Sequence, residues 1–362
     1  MIRQSAGNLP IPATFEQLES RIFLDNNPPV VDDQAFSVDE NSAAETVVGT
    51  VLATDPDAGD GLTYSITDGN TGTAFAIDAA TGEITVAGAI DYETLDSFVL
   101  TVLVTDDGTP SLSDTAAVTV AVNDVNDAPV VDAQAFNVNE NSAAGIVVGT
   151  VLASDRDAGQ TLAYILTDGN TGNAFAIDHV TGQITVAGTL DHEMTDTFAI
   201  TLRVTDNGTP SQTSTATVTI AVNDVNEAPL VNDQAFTVNE NSAAGTVVGT
   251  VQAYDVDPGQ TLTYVITSGN TNNAFAINSA TGQITVAGTL DYETLNNFVL
   301  TVLVTDNGTP SESDTAAVTI AVNDVNDPPL INDQYFRVDE HAGAGTVVGT
   351  VLASDPDPGQ TL

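Results

Sequence analysis

Residues 122–129 read Val-Asn-Asp-Val-Asn-Asp-Ala-Pro, crowding acid and amide side chains into the end of an apolar run that proline then stops. The same eight positions return at Val222–Pro229 as VNDVNEAP and at Val322–Pro329 as VNDVNDPP, a spacing of 100 residues each time. Leu24-Asp25-Asn26-Asn27-Pro28-Pro29 is a weaker echo ahead of the first copy. A period of this length matches one independently folding domain and exceeds the roughly 20–50 residues of a solenoid unit. The chain therefore reads as a leader at 1–29, full units at 30–129, 130–229 and 230–329, and a fourth unit at 330–362. That fourth unit stops in mid-pattern, as a fragment of a longer protein would.

Inside each unit the apolar residues alternate with the period of a strand. Thr115–Val122 places Ala116, Val118, Val120 and Val122 on one face and threonines with small residues on the other. Phe98–Val104 is more continuously apolar and suits a central strand. Further strands are expected at Gln34–Val38, Thr46–Thr54, Leu62–Thr67, Ala74–Ile77 and Glu83–Ala87. Asp68-Gly69-Asn70, Thr81-Gly82 and Asp106-Asp107-Gly108-Thr109-Pro110 supply turns between them. Short β-branched runs split by turns predict an all-β fold, an antiparallel β-sandwich in each unit. In the leader, Pro10 and Pro12 break any early helix, and Thr14–Leu24, with Phe15, Leu18 and Ile22 on one face, reads either as a short amphipathic helix or as part of a disordered leader.

Fifty acidic residues face five basic ones, a formal charge of −45. The five are Arg3, Arg21, Arg156, Arg203 and Arg337. Nucleic acid and anionic lipid both need a basic footprint, so those partners are excluded. There is no cysteine, which removes disulfides, thiolate metal sites and cysteine nucleophiles. No apolar run is long enough to span a membrane, and Met1–Leu24 lacks the continuous apolar centre of a secretory signal.

Superimposing the units by the period exposes acids that hold their places. The first unit carries Glu40, Asp55, Asp57, Asp91, Glu93, Asp106, Asp124 and Asp127. The second carries Glu140, Asp155, Asp157, Asp191, Glu193, Asp206, Asp224 and Glu227. The third has Glu240, Asp255, Asp257, Asp291, Glu293, Asp306, Asp324 and Asp327. Their neighbours vary: Tyr92 becomes His192, and Pro56 becomes Arg156 and then Val256. In extended backbone, residues i and i+2 project to one side. Each D-x-D or D-x-E would then aim two carboxylates at one point while the residue between, Arg156 included, points away. Carboxylates so clustered repel unless a cation neutralises them. Hard oxygen ligands in this number suit Ca²⁺ and its tolerant coordination. Mg²⁺ demands stricter octahedral geometry, and zinc would want His or Cys.

From about residue 30 onward the units resemble cadherin repeats. The motifs that carry the likeness are Asp39-Glu40-Asn41-Ser42, Thr54-Asp55-Pro56-Asp57, Phe75-Ala76-Ile77-Asp78, Ile90-Asp91-Tyr92-Glu93, Thr105-Asp106-Asp107-Gly108 and Asp124-Val125-Asn126-Asp127-Ala128-Pro129. The near-identity of the copies, without cysteine or lysine, looks more like a bacterial surface protein than an animal cadherin. Leu18–Leu24 is also similar to the LEPR-type segment near the start of large exported bacterial surface proteins, with Ser20 in place of its proline.

The resemblance implies tandem Greek-key β-sandwiches with Ca²⁺ between repeats. Carried over, the first junction would use Glu40, Asp91, Glu93, Asp124, Asn126 (by its carbonyl) and Asp127 with Asp155, Asp157 and Asp206. The second would use Glu140, Asp191, Glu193, Asp224, Asn226 and Glu227 with Asp255, Asp257 and Asp306. The third would use Glu240, Asp291, Glu293, Asp324, Asn326 and Asp327 with Asp355 and Asp357. The family's asparagine a few residues after D-x-D has no clear counterpart here. Ahead of the first unit only Asp25 and Asn27 are available to Asp55, Asp57 and Asp106, so a partial site is expected there.

An enzyme is not expected. His179, His192 and His341 occupy no repeated position, and a dyad of Asp91 and Glu93 that recurs in every unit reads as structural. The expected function is a calcium-stiffened adhesion or stalk protein, extracellular or at the cell surface. Its partners would be calcium ions and other cell-surface proteins or copies of itself. An array of polysaccharide-binding modules is the alternative. The absence of Trp and the seven Tyr leave that reading few platforms for sugar rings.

Overall fold

The computed structural model describes residues 26–362. The stretch Thr14–Leu24, the LEPR-like segment within it and Asp25 lie outside the described residues. The chain divides into two compact units. One holds the described residues up to Asp132 with Leu152–Tyr164 and Arg203–Thr215; the other holds Ala133–Val151, Ile165–Leu202 and Ala216–Leu362. The first linker and the loops that meet it fall wholly in the first unit. The second and third linkers fall wholly in the second.

The first repeat contains β1 (Val30–Val31), β2 (Gln34–Asp39), β3 (Val47–Thr50), β4 (Ala53–Thr54), β5 (Thr63–Asp68), β6 (Phe75–Ile77), β7 (Glu83–Val86), β8 (Ser97–Thr105) and β9 (Ser113–Asn123). The second and third repeats return the same order of elements. One sheet runs β2-β9-β8-β5 and the other β3-β7-β6, with β1 paired to β4 as a short clasp. The expected all-β sandwich is present, with one difference: β2 lies parallel to β9, Phe36 beside Val120 and Asp39 beside Asn123. The expected strand Thr46–Thr54 is interrupted between β3 and β4, where Val51 leaves the ladder and donates its N–H to Gly82 O at 2.9 Å.

Alternation builds the core. Phe98, Leu100, Val102 and Val104 of β8 and Ala116, Val118, Val120 and Val122 of β9 are all buried. Phe75 meets Phe98 edge to face at 5.0 Å, and Phe275 meets Phe298 in the same way in the third repeat. β8 is hydrogen-bonded on both sides, as expected of a central strand, yet Val99 on its outer face is 56% exposed. Its apolar run therefore reflects strand propensity on that face and not burial. Gly69 turns the chain after β5 at φ +80°, where a side chain would collide with the Val99 carbonyl.

This topology fixes the site. The parallel β2–β9 pair ends with Glu40 N–H donating to Asn123 O at 3.1 Å, so Glu40 emerges beside the start of the linker. Residues 330–362 contribute a pair, Leu330–Ile331 with Ala353–Ser354. Apolar side chains there, such as Tyr335 (94% exposed) and Val347 (83%), stay in solvent.

Candidate metal centre

Glu40 is 3% exposed and each of its carboxylate oxygens accepts a backbone N–H. Oε1 accepts the Val125 N–H of the linker at 2.8 Å, and Oε2 accepts the Tyr92 N–H of the D-x-E turn at 2.8 Å. Glu140 bonds His192 and Val225 in the same way, and Glu240 bonds Tyr292 and Val325. One buried acid thus ties β2 to the two loops that carry the other acids. Carboxylate oxygens of Glu40, Glu93 and Asp124 come within 4.8 Å of one another, as do those of Glu140, Asp191 and Glu193.

The paired acids converge, but not by the extended geometry expected of them. Asp155 Oδ1 accepts the Asp157 N–H at 3.0 Å, and Asp91 Oδ1 accepts the Thr94 N–H at 3.0 Å. Both motifs are turns stabilised by an aspartate side chain bonding the backbone just ahead, which competes with strand formation. Across the first linker, Asp127 N–H donates to Asp157 Oδ2 at 2.8 Å. Glu227 and Asp327 meet Asp257 and Asp357 identically at 2.9 and 2.7 Å. At the second linker, oxygens of Glu193, Glu227 and Asp257 fall within 4.8 Å of one another.

The side chains of Asn126 and Asp206 are bonded to each other across the linker. The Asn126 Nδ2 donates to Asp206 Oδ2 at 3.0 Å and to Pro210 O at 3.1 Å. Asp206 also accepts from Gly208 and Gln212 N–H groups, so its oxygens are occupied by the chain's own donors. Burial raises its pKa, but these bonds outweigh burial and leave it lowered. Asn226 and Asp306 repeat the arrangement. Ahead of the first repeat, Asn26 donates to Asp106 at 3.2 Å and the Asn27 N–H to Asp57 at 2.6 Å, so the leader's end imitates a linker.

Two residues have a role at the site that the sequence reading did not assign them. Gln160 Nε2 contacts Asn126 Oδ1 and reaches Asp157 Oδ2, standing where the family's missing asparagine was sought; Gln260 does the same. Its return at 160, 260 and 360 was a visible signal. Asn41, at φ +57°, donates to Asp127 Oδ1 at 2.9 Å, and Asn141 donates to Glu227 Oε1. Arg156 was expected to point away. Instead its guanidinium donates to Asp91 Oδ2 at 2.8 Å and lies 3.9 Å from Asp127 Oδ2, because a long side chain leaving a turn is not held to the alternation of a strand.

The electrostatics are those of crowded anions. Desolvation first, then the charges of Glu40, Asp157 and Asp124, raise the pKa of Glu93. Asp124 is raised by desolvation and then by Asp157 and Glu40. Glu227 is pushed up to about 7, by desolvation and then by the Glu140 charge. Asp91 goes the other way: desolvation raises it, but the Thr94 bonds and the Arg156 guanidinium together hold it below its usual value. Several buried oxygens have no donor at all. Among them are Asp155 Oδ2, Asp157 Oδ1 and Gln160 Oε1 at the first linker, and Asp255 Oδ2, Asp257 Oδ1, Gln260 Oε1 and Glu227 Oε2 at the second.

The Cadherin domain family model matches residues 34–123, 134–223 and 234–323. The chain is 39% identical over 348 residues to protocadherin Fat 4 of Homo sapiens, covering 92% of this chain and 7% of that protein. It is 37% identical over 350 residues to protocadherin-23 of Homo sapiens, covering 92% and 10%. Among solved structures, the EC22-24 segment of mouse cadherin-23 aligns with a TM-score of 0.63 at 31% identity, covering 83% of this chain and all of that one. The protocadherin GammaB4 extracellular domain aligns at 0.66 and 29%, covering 92% and 57%.

Proposed function

The chain belongs to the cadherin family, and on that premise we propose that its linkers bind calcium, stiffening a segment of a cell-surface adhesion or stalk protein. One observation carries the calcium reading: the same three buried acceptors, at Asp155, Asp157 and Gln160 and again at Asp255, Asp257 and Gln260, lack any donor. A buried acceptor left without a partner costs about 1–3 kcal/mol. A set of them repeated atom for atom fits a cation better than it fits misfolding. Calcium, when bound, supplies a compact double charge and takes six to eight oxygens in tolerant geometry.

The first linker would offer Glu93, Asp124, Asp127, Asp155, Asp157 and Gln160, with Glu40 bracing the loops from beneath. The second would offer Asp191, Glu193, Asp224, Glu227, Asp255, Asp257 and Gln260 over Glu140. The third would offer Asp291, Glu293, Asp324, Asp327, Asp355 and Asp357 over Glu240. Asp206 and Asp306 hold the linker asparagines in place, and through them the adjoining oxygens. The chain's partners are calcium and other cell-surface proteins or further copies of itself. The role is binding and mechanical, without catalysis.

Titration calorimetry on the calcium-stripped chain tests the reading. Saturable calcium binding at more than one site, weakened by Asp257→Asn, is the expected result. Heats no larger than dilution, or equal heats for calcium and magnesium, would overturn it.

A further inference from the structure

Arg156 stands between Asp155 and Asp157, where the other units carry Pro56, Val256 and Pro356. It belongs to the top of the second repeat. Asp91, which it bonds at 2.8 Å, belongs to the base of the first, and Asp127, at 3.9 Å, to the linker between them. The side chain therefore crosses the first junction and places a fixed positive charge among its acids. The planar guanidinium can address two carboxylates at once.

We propose that Arg156 is a built-in cation of the first junction: it ties the two repeats together without metal, and a divalent ion that recruits Asp91 has to displace it. The second half of the proposal rests on the calcium reading; the first does not. The cleft beside it, ≈ 890 Å³ and bordered by Glu93, Asp124, Arg156 and Asp157, gives the displaced side chain room to swing out. The partners are 55% and 28% exposed, so solvent weakens the pair. Pairs of this kind change an equilibrium by about two- to five-fold. The second junction has Val256 in the same place and serves as the internal control.

Amide hydrogen exchange of the full chain reads both linkers separately. In chelator, Arg156→Val and Arg156→Gln should each speed exchange over residues 124–131 by about two- to five-fold and leave 224–231 unchanged. The calcium concentration that half-protects 124–131 should fall by a similar factor in both variants. Wild-type exchange in chelator for both variants overturns the tie. An unmoved calcium midpoint overturns the competition. Failure of calcium to protect 224–231 at any concentration would instead sink the calcium reading, and the chelator comparison would still decide whether Arg156 ties the repeats.

Discussion

Where the first and third linkers carry Asp127 and Asp327, the second carries Glu227, one methylene longer. To occupy the same place the glutamate must fold back, and it loses more rotamer freedom when fixed. Glu227→Asp should therefore tighten calcium binding at the second junction by about 0.5–1.5 kcal/mol, the scale of that entropy. A calcium titration followed by exchange over residues 224–231 would show it, and an unchanged midpoint would remove side-chain length as the cause. The same carboxyl also sets a pH dependence. Its folded pKa is about 7, above its ordinary 4.5, so the folded state holds the proton more tightly. The stability this contributes is full below about 4.5 and is lost as pH rises through about 7. Calcium-stripped protein should thus melt at falling temperature across that window, and Glu227→Gln should flatten the slope. An identical slope in the variant would show that other acids carry it.

At the scale of elements, the turn-and-strand pattern was legible because alternation and turn chemistry are local properties. The ends of β8 and β9 were readable to within two residues for that reason. The parallel β2–β9 pair was not, since it joins residues 84 apart in sequence, such as Phe36 and Val120. The acids of the site were legible from their period, whereas the geometry that gathers them was misjudged: Asp155–Asp157 and Asp91–Glu93 are turns. Asn41 and Gln160 also recur with the period, but an uncharged amide serves turns as readily as an ion site, so recurrence alone does not mark its role. Arg156 could not be placed from spacing, because its contact depends on how one repeat meets the loops of the next. Glu240 shows how strongly these loops depend on one side chain. Replacing it with alanine strands the Tyr292 and Val325 N–H groups, at about 1–3 kcal/mol for each donor. Urea unfolding of calcium-stripped Glu240→Ala should record that loss in the third repeat; wild-type stability would show that water satisfies the donors.

Taken as a whole molecule, the chain carries a formal charge of −45, and its acids gather at the linkers. Two like charges 4 Å apart repel by about 1–4 kcal/mol, depending on the effective dielectric. Several such pairs meet at every linker, so the coupling of neighbouring repeats should depend on what neutralises them. Small-angle X-ray scattering of the full chain, first in calcium, then in chelator, then with calcium restored, measures that dependence directly. Chelation should change the radius of gyration and raise the flexibility seen in the scattering profile, and restored calcium should reverse both. Profiles that superimpose in all three conditions would contradict that dependence.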